Sequence, residues 1–139
     1  MATVYVGSAR MDERGKASGG QAGDQTGKEV STQNWYDHSK GWIVLRPKDG
    51  AKAQKIAKGM RSACDNPNIG YDQTNNHSLW HLVKDKGFDP AQADQPCETD
   101  CARLVRVCCA SAGIAAEYFW TDPESSVPLR PGEIHKLSG

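Results

Sequence analysis

The stretch from Thr99 to Gly113 leaves the chain little choice of local structure. Cys101, Leu104, Val105, Cys108 and Ala112 recur at helical spacing, and Arg103 and Arg106 fall on the opposite side. That pattern predicts an amphipathic helix from about Asp100 to Ala112. Thr99 is the expected N-cap and Gly113 the expected terminator. Cys101 is expected on the buried face, at the N-terminal end of the helix.

The rest of the chain supplies the remaining elements of an α+β domain. Thr3-Val4-Tyr5-Val6 is β-rich and alternating, so it reads as a short strand. A polar, glycine-crowded stretch from Gly7 to Gly27 follows, too long for an idle turn. Trp42 to Leu45 reads as a strand, stopped by Pro47 and the Asp49-Gly50 turn signal. Ala51 to Cys64 reads as a helix, with Ile56, Met60 and Ala63 on its apolar face, and Asn66-Pro67-Asn68 breaks it. A second helix is expected from an Asn76 N-cap to Lys86, with Leu79, Leu82 and Val83 apolar and Gly87 terminal. Leu129 to Ile134 reads as a turn entering a strand.

The bulk numbers restrict function. A chain of 139 residues fits one domain, and no second domain is visible. Seventeen Lys and Arg balance seventeen Asp and Glu, so charge makes no case for nucleic acid or an anionic membrane. No apolar run approaches the roughly 20 residues that span a bilayer. The N-terminus lacks a basic start followed by an apolar core, so no secretory signal is read and synthesis in the cytosol is expected. Five cysteines, at 64, 97, 101, 108 and 109, argue against a full disulfide framework. Their spacing suits zinc poorly, because Cys108 and Cys109 are adjacent and diverge on a helix. No cofactor and no metal are expected.

A cysteine in the first turn of a helix meets backbone N–H groups and the positive end of the helix dipole. Both favour thiolate, and the same N–H groups can help hold an oxyanion. Asp100 opposes the thiolate electrostatically, yet it can also stabilise the helix start. By physics alone, a lone cysteine there is more often structural than catalytic.

The string Thr99-Asp100-Cys101-Ala102-Arg103-Leu104-Val105 resembles the nucleophile motif of NlpC-type cysteine peptidases, D-C-S-G/S-L-V. With GGQAGDQTGKEV, NWY, NIGYDQ and CETDCARLVRVCC around it, the chain is similar to small phage or prophage endolysins of that group, from about Gly7 to Ile134. The resemblance implies a papain-like fold whose nucleophile helix packs on a small antiparallel sheet. It implies cleavage of peptide or amide bonds in peptidoglycan through an acyl-enzyme, with action at the cell wall during lysis or from a phage tail. Cys101 takes the place of the nucleophile, and Tyr71 resembles the tyrosine near the oxyanion site. Asp24 and Gln25, in a loop beside the cleft, are substrate-binding candidates.

Two departures stand out. Ala102 replaces a small hydroxyl residue or glycine but keeps its backbone N–H. The second concerns the family's general base, a histidine on a strand several residues past an L-x-x-G-D/E-I turn. Leu129 to Ile134 matches that turn, with Glu133 in the acidic place, and the sequence ends at Gly139 before that strand is expected. His135 follows Ile134 directly, earlier than the family position, and stands as a possible base. A domain short of its last strands is expected to be marginally stable or to self-associate. The alternative reading is a non-catalytic relic or binding module of the same fold. His77 and His81 are one helical turn apart without an H-E-x-x-H pattern and read as a polar helix face; His38 reads as a loop residue. Gly23 to Lys28 imitates a phosphate loop but has Ala22 and Glu29 where glycine and Ser or Thr are needed, so nucleotide binding is rejected.

Overall fold

The computed structural model describes residues 3–9, 29–37, 39, 44–72, 74–116 and 134–137. In chain order these form β1 (Tyr5–Ala9), β2 (Val30–Asn34), β3 (Val44–Pro47), α1 (Gly50–Asp65), β4 (Ile69–Tyr71), α2 (Ser78–Val83), a 3-10 turn (Pro90–Gln92), β5 (Cys97–Thr99), α3 (Cys101–Ser111) and β6 (Ile134–Leu137). The result is a small α+β arrangement of three helices and small sheets. Among the described residues the strands pair two by two: β1 with β2 and β3 with β6 antiparallel, β4 with β5 parallel.

α1 forms where the lysine-interleaved pattern predicts it. Asp49 caps it, its carboxylate accepting from the Ala51 amide at 2.8 Å. Asn66 ends it and ties the end down: its amide donates to the carbonyls of Pro90 and Ala93 at 2.9 and 3.0 Å, and its oxygen accepts from the Asn68 N–H at 3.0 Å. Asn68 adds a bond to the Ala93 carbonyl at 3.1 Å. The Asn-Pro-Asn helix breaker is therefore also the clamp that holds the 3-10 turn.

α1 packs against α3, with Gly59 at the crossing. A Cβ added there would come within 3.3 Å of Ser111 Oγ and 3.5 Å of Cys108 Sγ, so glycine sets how closely the helices approach. The core gathers Ala63, Ile69, Leu79, Val83, Leu104, Val107 and Cys108, with Ile56 and Met60 packed on it. A second cluster of Cys109, Ile114 and Ala116 covers another side of α3. Val107 joins the first cluster and Cys109 the second, so both, off the stripe read from sequence, are buried as well. Gly113, at φ 78°, closes α3. Its N–H reaches the Ala110 carbonyl at 2.9 Å, and the Ile114 N–H reaches that of Cys109 at 2.9 Å, the paired bonds of a Schellman end.

Several boundaries differ from the sequence reading. The first strand is Tyr5–Ala9, registered on β2 from Asn34 to Val30, and lies further along than Thr3–Val6. Of the strand expected at Trp42–Leu45, Trp42 and Ile43 lie outside the described residues; the described strand is Val44–Pro47, and Pro47, expected to stop it, is its last residue, opposite Ile134. α2 begins at Ser78 because the Asn76 side chain bonds Asp100 at 2.8 Å and does not cap the helix. Thr99 does not cap α3 either. It is fully buried in β5, and Asp100 takes the cap. The β4–β5 pair leading into α3 is parallel, whereas α3 touches the antiparallel β1–β2 pair through β1. Near the C-terminus, where Leu129 to Ile134 reads as a turn entering a strand, residues 134–137 form β6, and His135 sits on it opposite Arg46.

Candidate active site

The chemistry-bearing residues converge where β5 runs into α3. Asp100 holds an extended backbone, φ −114° and ψ −179°, and its carboxylate accepts from the Arg103 amide at 2.8 Å. The other carboxylate oxygen accepts from Arg103 Nη1 at 3.0 Å and from Asn76 Nδ2 at 2.8 Å. One buried carboxylate thereby satisfies a helix-start amide, half-neutralises its own charge with Arg103, and anchors the loop before α2. Asp100 shapes the helix start on which Cys101 sits.

Cys101 is the first residue of α3 and is half-buried, not fully buried as its stripe position implied. Helical Cβ atoms lean toward the N-terminus. At the first position no preceding helical turn exists to cover the side chain. The three thiols at 97, 108 and 109 are buried. Burial pushes Cys97 and Cys108 up to about 12, and burial raises Cys109 as well.

Tyr71 reaches the same place from β4. The parallel register sets Tyr71 beside Thr99, the second residue before Cys101. Its amide donates to Glu29 Oε2 at 3.2 Å, and Glu29 itself is buried. Burial, and then the nearby charges of Cys101, Asp100 and Asp72, push the phenol up to about 12. The hydroxyl is therefore a neutral donor across any physiological pH. The Asp72 amide donates to the Thr99 carbonyl at 3.1 Å, and its carboxylate folds the next turn by accepting from Thr74 and Asn75 at 2.8 and 3.1 Å. Ser78 Oγ accepts from the Glu98 amide at 2.7 Å, so the start of α2 is stitched to β5.

These raised values fix a pH dependence. Tyr71, Cys97 and Cys108 hold protons in the folded chain above the pH at which the unfolded chain releases them, so folding stability falls as pH rises. The stability is whole below about 9, the ordinary thiol value, and is lost progressively toward 12. Chemical-denaturation midpoints are expected to drop between pH 9 and 11 under reducing conditions. A flat profile there would contradict the buried positions of these groups.

Cys101 and Tyr71 are thus brought together. Asp24, Gln25 and His38 lie outside the described residues, as does the side chain of His135. His77 and His81 are exposed on or beside α2 with ring centroids 6.4 Å apart. His77 directly follows Asn76, the partner of Asp100. Among the described residues no group of three or more His, Cys, Asp or Glu is placed to hold a metal ion, and no helix is long and apolar enough to cross a membrane. All five cysteines are outside disulfides. Glu29 and Asn76 were not read as site residues. Glu29 stands in a polar, glycine-rich stretch that gives no sign of burial, and Asn76 carries the same cap signature whichever partner it takes.

The arrangement is that of an α+β domain with a half-buried thiol at a helix start, next in sequence to the buried carboxylate of Asp100. A family model for an endolysin-like domain matches residues 6–127. The chain belongs to the endolysin-like domain family, which points to a lytic role at the cell wall with peptidoglycan as substrate. No curated protein and no solved structure shows significant similarity to it.

Proposed function

We propose that the chain is a papain-like, NlpC-type cysteine hydrolase of phage type, an endopeptidase or amidase that cuts peptidoglycan as a single domain. The observation that carries this reading is Cys101, half-exposed on the first turn of α3 with Tyr71 beside it. The general base takes the proton of the Cys101 thiol, the thiolate attacks a wall amide carbonyl, and the tetrahedral oxyanion is met by helix-start N–H groups and the Tyr71 hydroxyl. Collapse expels the amine, which takes a proton from the general base, and leaves a thioester on Cys101. Water, deprotonated by the same base, then releases the acid and restores the thiol. His135 on β6 is assigned the base, and Asp24 and Gln25 are assigned to hold substrate.

Alkylation tests this directly. Iodoacetamide near pH 8, followed by peptide mapping, is expected to modify Cys101 before Cys97, Cys108 and Cys109, which burial holds in the thiol form. Wall lysis is expected to fall in step with Cys101 modification. Full lysis from a chain alkylated completely at Cys101 would remove the thiol from the mechanism.

A further inference from the structure

The neutral balance of the whole chain hides a segregation of charge. Residues 46–61 hold six of its seventeen cations (Arg46, Lys48, Lys52, Lys55, Lys58 and Arg61) and one of its seventeen carboxylates, Asp49. Asp49 is engaged as the cap of α1, through the Ala51 amide. Lys55, Lys58 and Arg61 are all exposed on α1. At 3.6 residues per turn they step round the helix by about 60° each, centred opposite the stripe of Ile56, Met60 and Ala63 that packs into the core. Among the described residues none of the three joins an ion pair. The Cys101 chemistry uses none of them.

That row constrains its ligand. Consecutive cations are about 4.5 Å apart along the axis, and rows of this spacing run obliquely over a helix, at about 45°. A small anion meets one or two of these charges. A linear polyanion lying along the row meets all three and releases a counterion at each. Two of the three are lysines, point charges on flexible stems, which meet a phosphodiester without the two-oxygen geometry that an arginine fork reads. Two other phosphate-bearing partners fit less well. No aromatic residue stands on α1, so the face offers no ring on which a nucleic-acid base could stack. The apolar stripe of α1 is spent on the core, so the helix has no apolar face to enter a bilayer.

We infer that the outer face of α1 binds a linear phosphodiester polymer of the cell wall, through Lys55, Lys58 and Arg61. The choice of a wall polymer rests on the proposed wall hydrolysis. The face holds the chain on its insoluble substrate and takes no part in bond cleavage.

The test is cosedimentation of the full chain carrying Cys101→Ala, so that no turnover occurs, with Gram-positive walls before and after cold hydrofluoric acid. The acid cleaves phosphodiesters and leaves the peptidoglycan. Intact walls are expected to bind the chain at least about tenfold more tightly than stripped walls, and to lose about tenfold between about 50 and 200 mM salt. Adding Lys55→Gln, Lys58→Gln and Arg61→Gln together is expected to bring binding to intact walls down to the stripped-wall level. Equal binding to both walls, or a preference that survives the triple change, overturns the inference. So does tighter binding, at equal phosphate, to oligothymidylate or to phosphatidylglycerol vesicles than to soluble poly(glycerol phosphate); the face would then be one for nucleic acid or for membrane. Should the triple variant fail to fold by circular dichroism, Lys58→Gln alone decides. A salt slope reduced in size by about 1 supports the inference, and an unchanged slope overturns it. Lysis by the unsubstituted chain with equal binding to both walls defeats this inference and leaves the Cys101 reading standing. A phosphodiester preference without lysis does the reverse.

Discussion

Cys101→Ala is expected to abolish wall lysis while leaving the fold intact. In the proposed mechanism Cys101 is the covalent nucleophile, and its removal takes away the whole two-step route, so kcat/KM should fall by at least about 1,000-fold, the scale seen when members of a catalytic unit are deleted. The structural effect should be small. The side chain is half-buried at the helix start, outside the clusters that fill the core, and alanine is the best helix former. A Tm within about 3 °C of the unsubstituted chain is expected, on the scale of a surface change below about 0.5 kcal/mol. Lysis and stability measured together separate the two roles. A large loss of stability with activity retained would make Cys101 a packing residue.

Asp100→Ala is expected to produce the largest loss of stability of any single change at the site. It removes the cap bond to the Arg103 amide, the ion pair to Arg103 Nη1 and the acceptor for Asn76 Nδ2, all on a carboxylate that is only 4% exposed. A cap is worth about 1 kcal/mol, and hydrogen bonds to a charged group about 1.5 to 3. The sum is non-additive, because the bonds share one group, so about 3 kcal/mol is expected, a Tm drop of roughly 10 °C. Asp100→Asn keeps an acceptor for the cap and loses the charge, so its effect should be about half as large. A Tm change under about 3 °C for Asp100→Ala would mean that the carboxylate does not organise the start of α3.

How much of this was legible follows from the length of each signal. α1 and α3 are long enough for their 3.6-residue period to declare itself, and both ends of each fall within a residue or so of the reading. The three-residue strands β4 and β5 are buried throughout. With no exposed position to alternate against, they leave no period-two trace. Yet this parallel pair is what carries Tyr71 to Cys101. Their proximity was therefore implied by family resemblance alone, and nothing in local pattern could have produced it. Caps were misassigned for a related reason. Thr99, Asn76 and Asp100 all have capping side chains, and the choice among them is made by long-range partners: β5 buries Thr99, and Asp100 claims Asn76. The stacking of the Arg106 guanidinium over the Trp80 ring joins two helices and is invisible to any reading of one segment at a time.

The most direct measurement of the central claim is mass spectrometry on both products of one reaction: purified peptidoglycan incubated with the full chain, with fragments and acid-quenched protein analysed in parallel. The account predicts new fragments bearing a free amine, together with a wall-derived acyl group on the tryptic peptide containing Cys101, both absent with Cys101→Ala. Fragments that form equally with Cys101→Ala, or a folded chain that releases none, would contradict it.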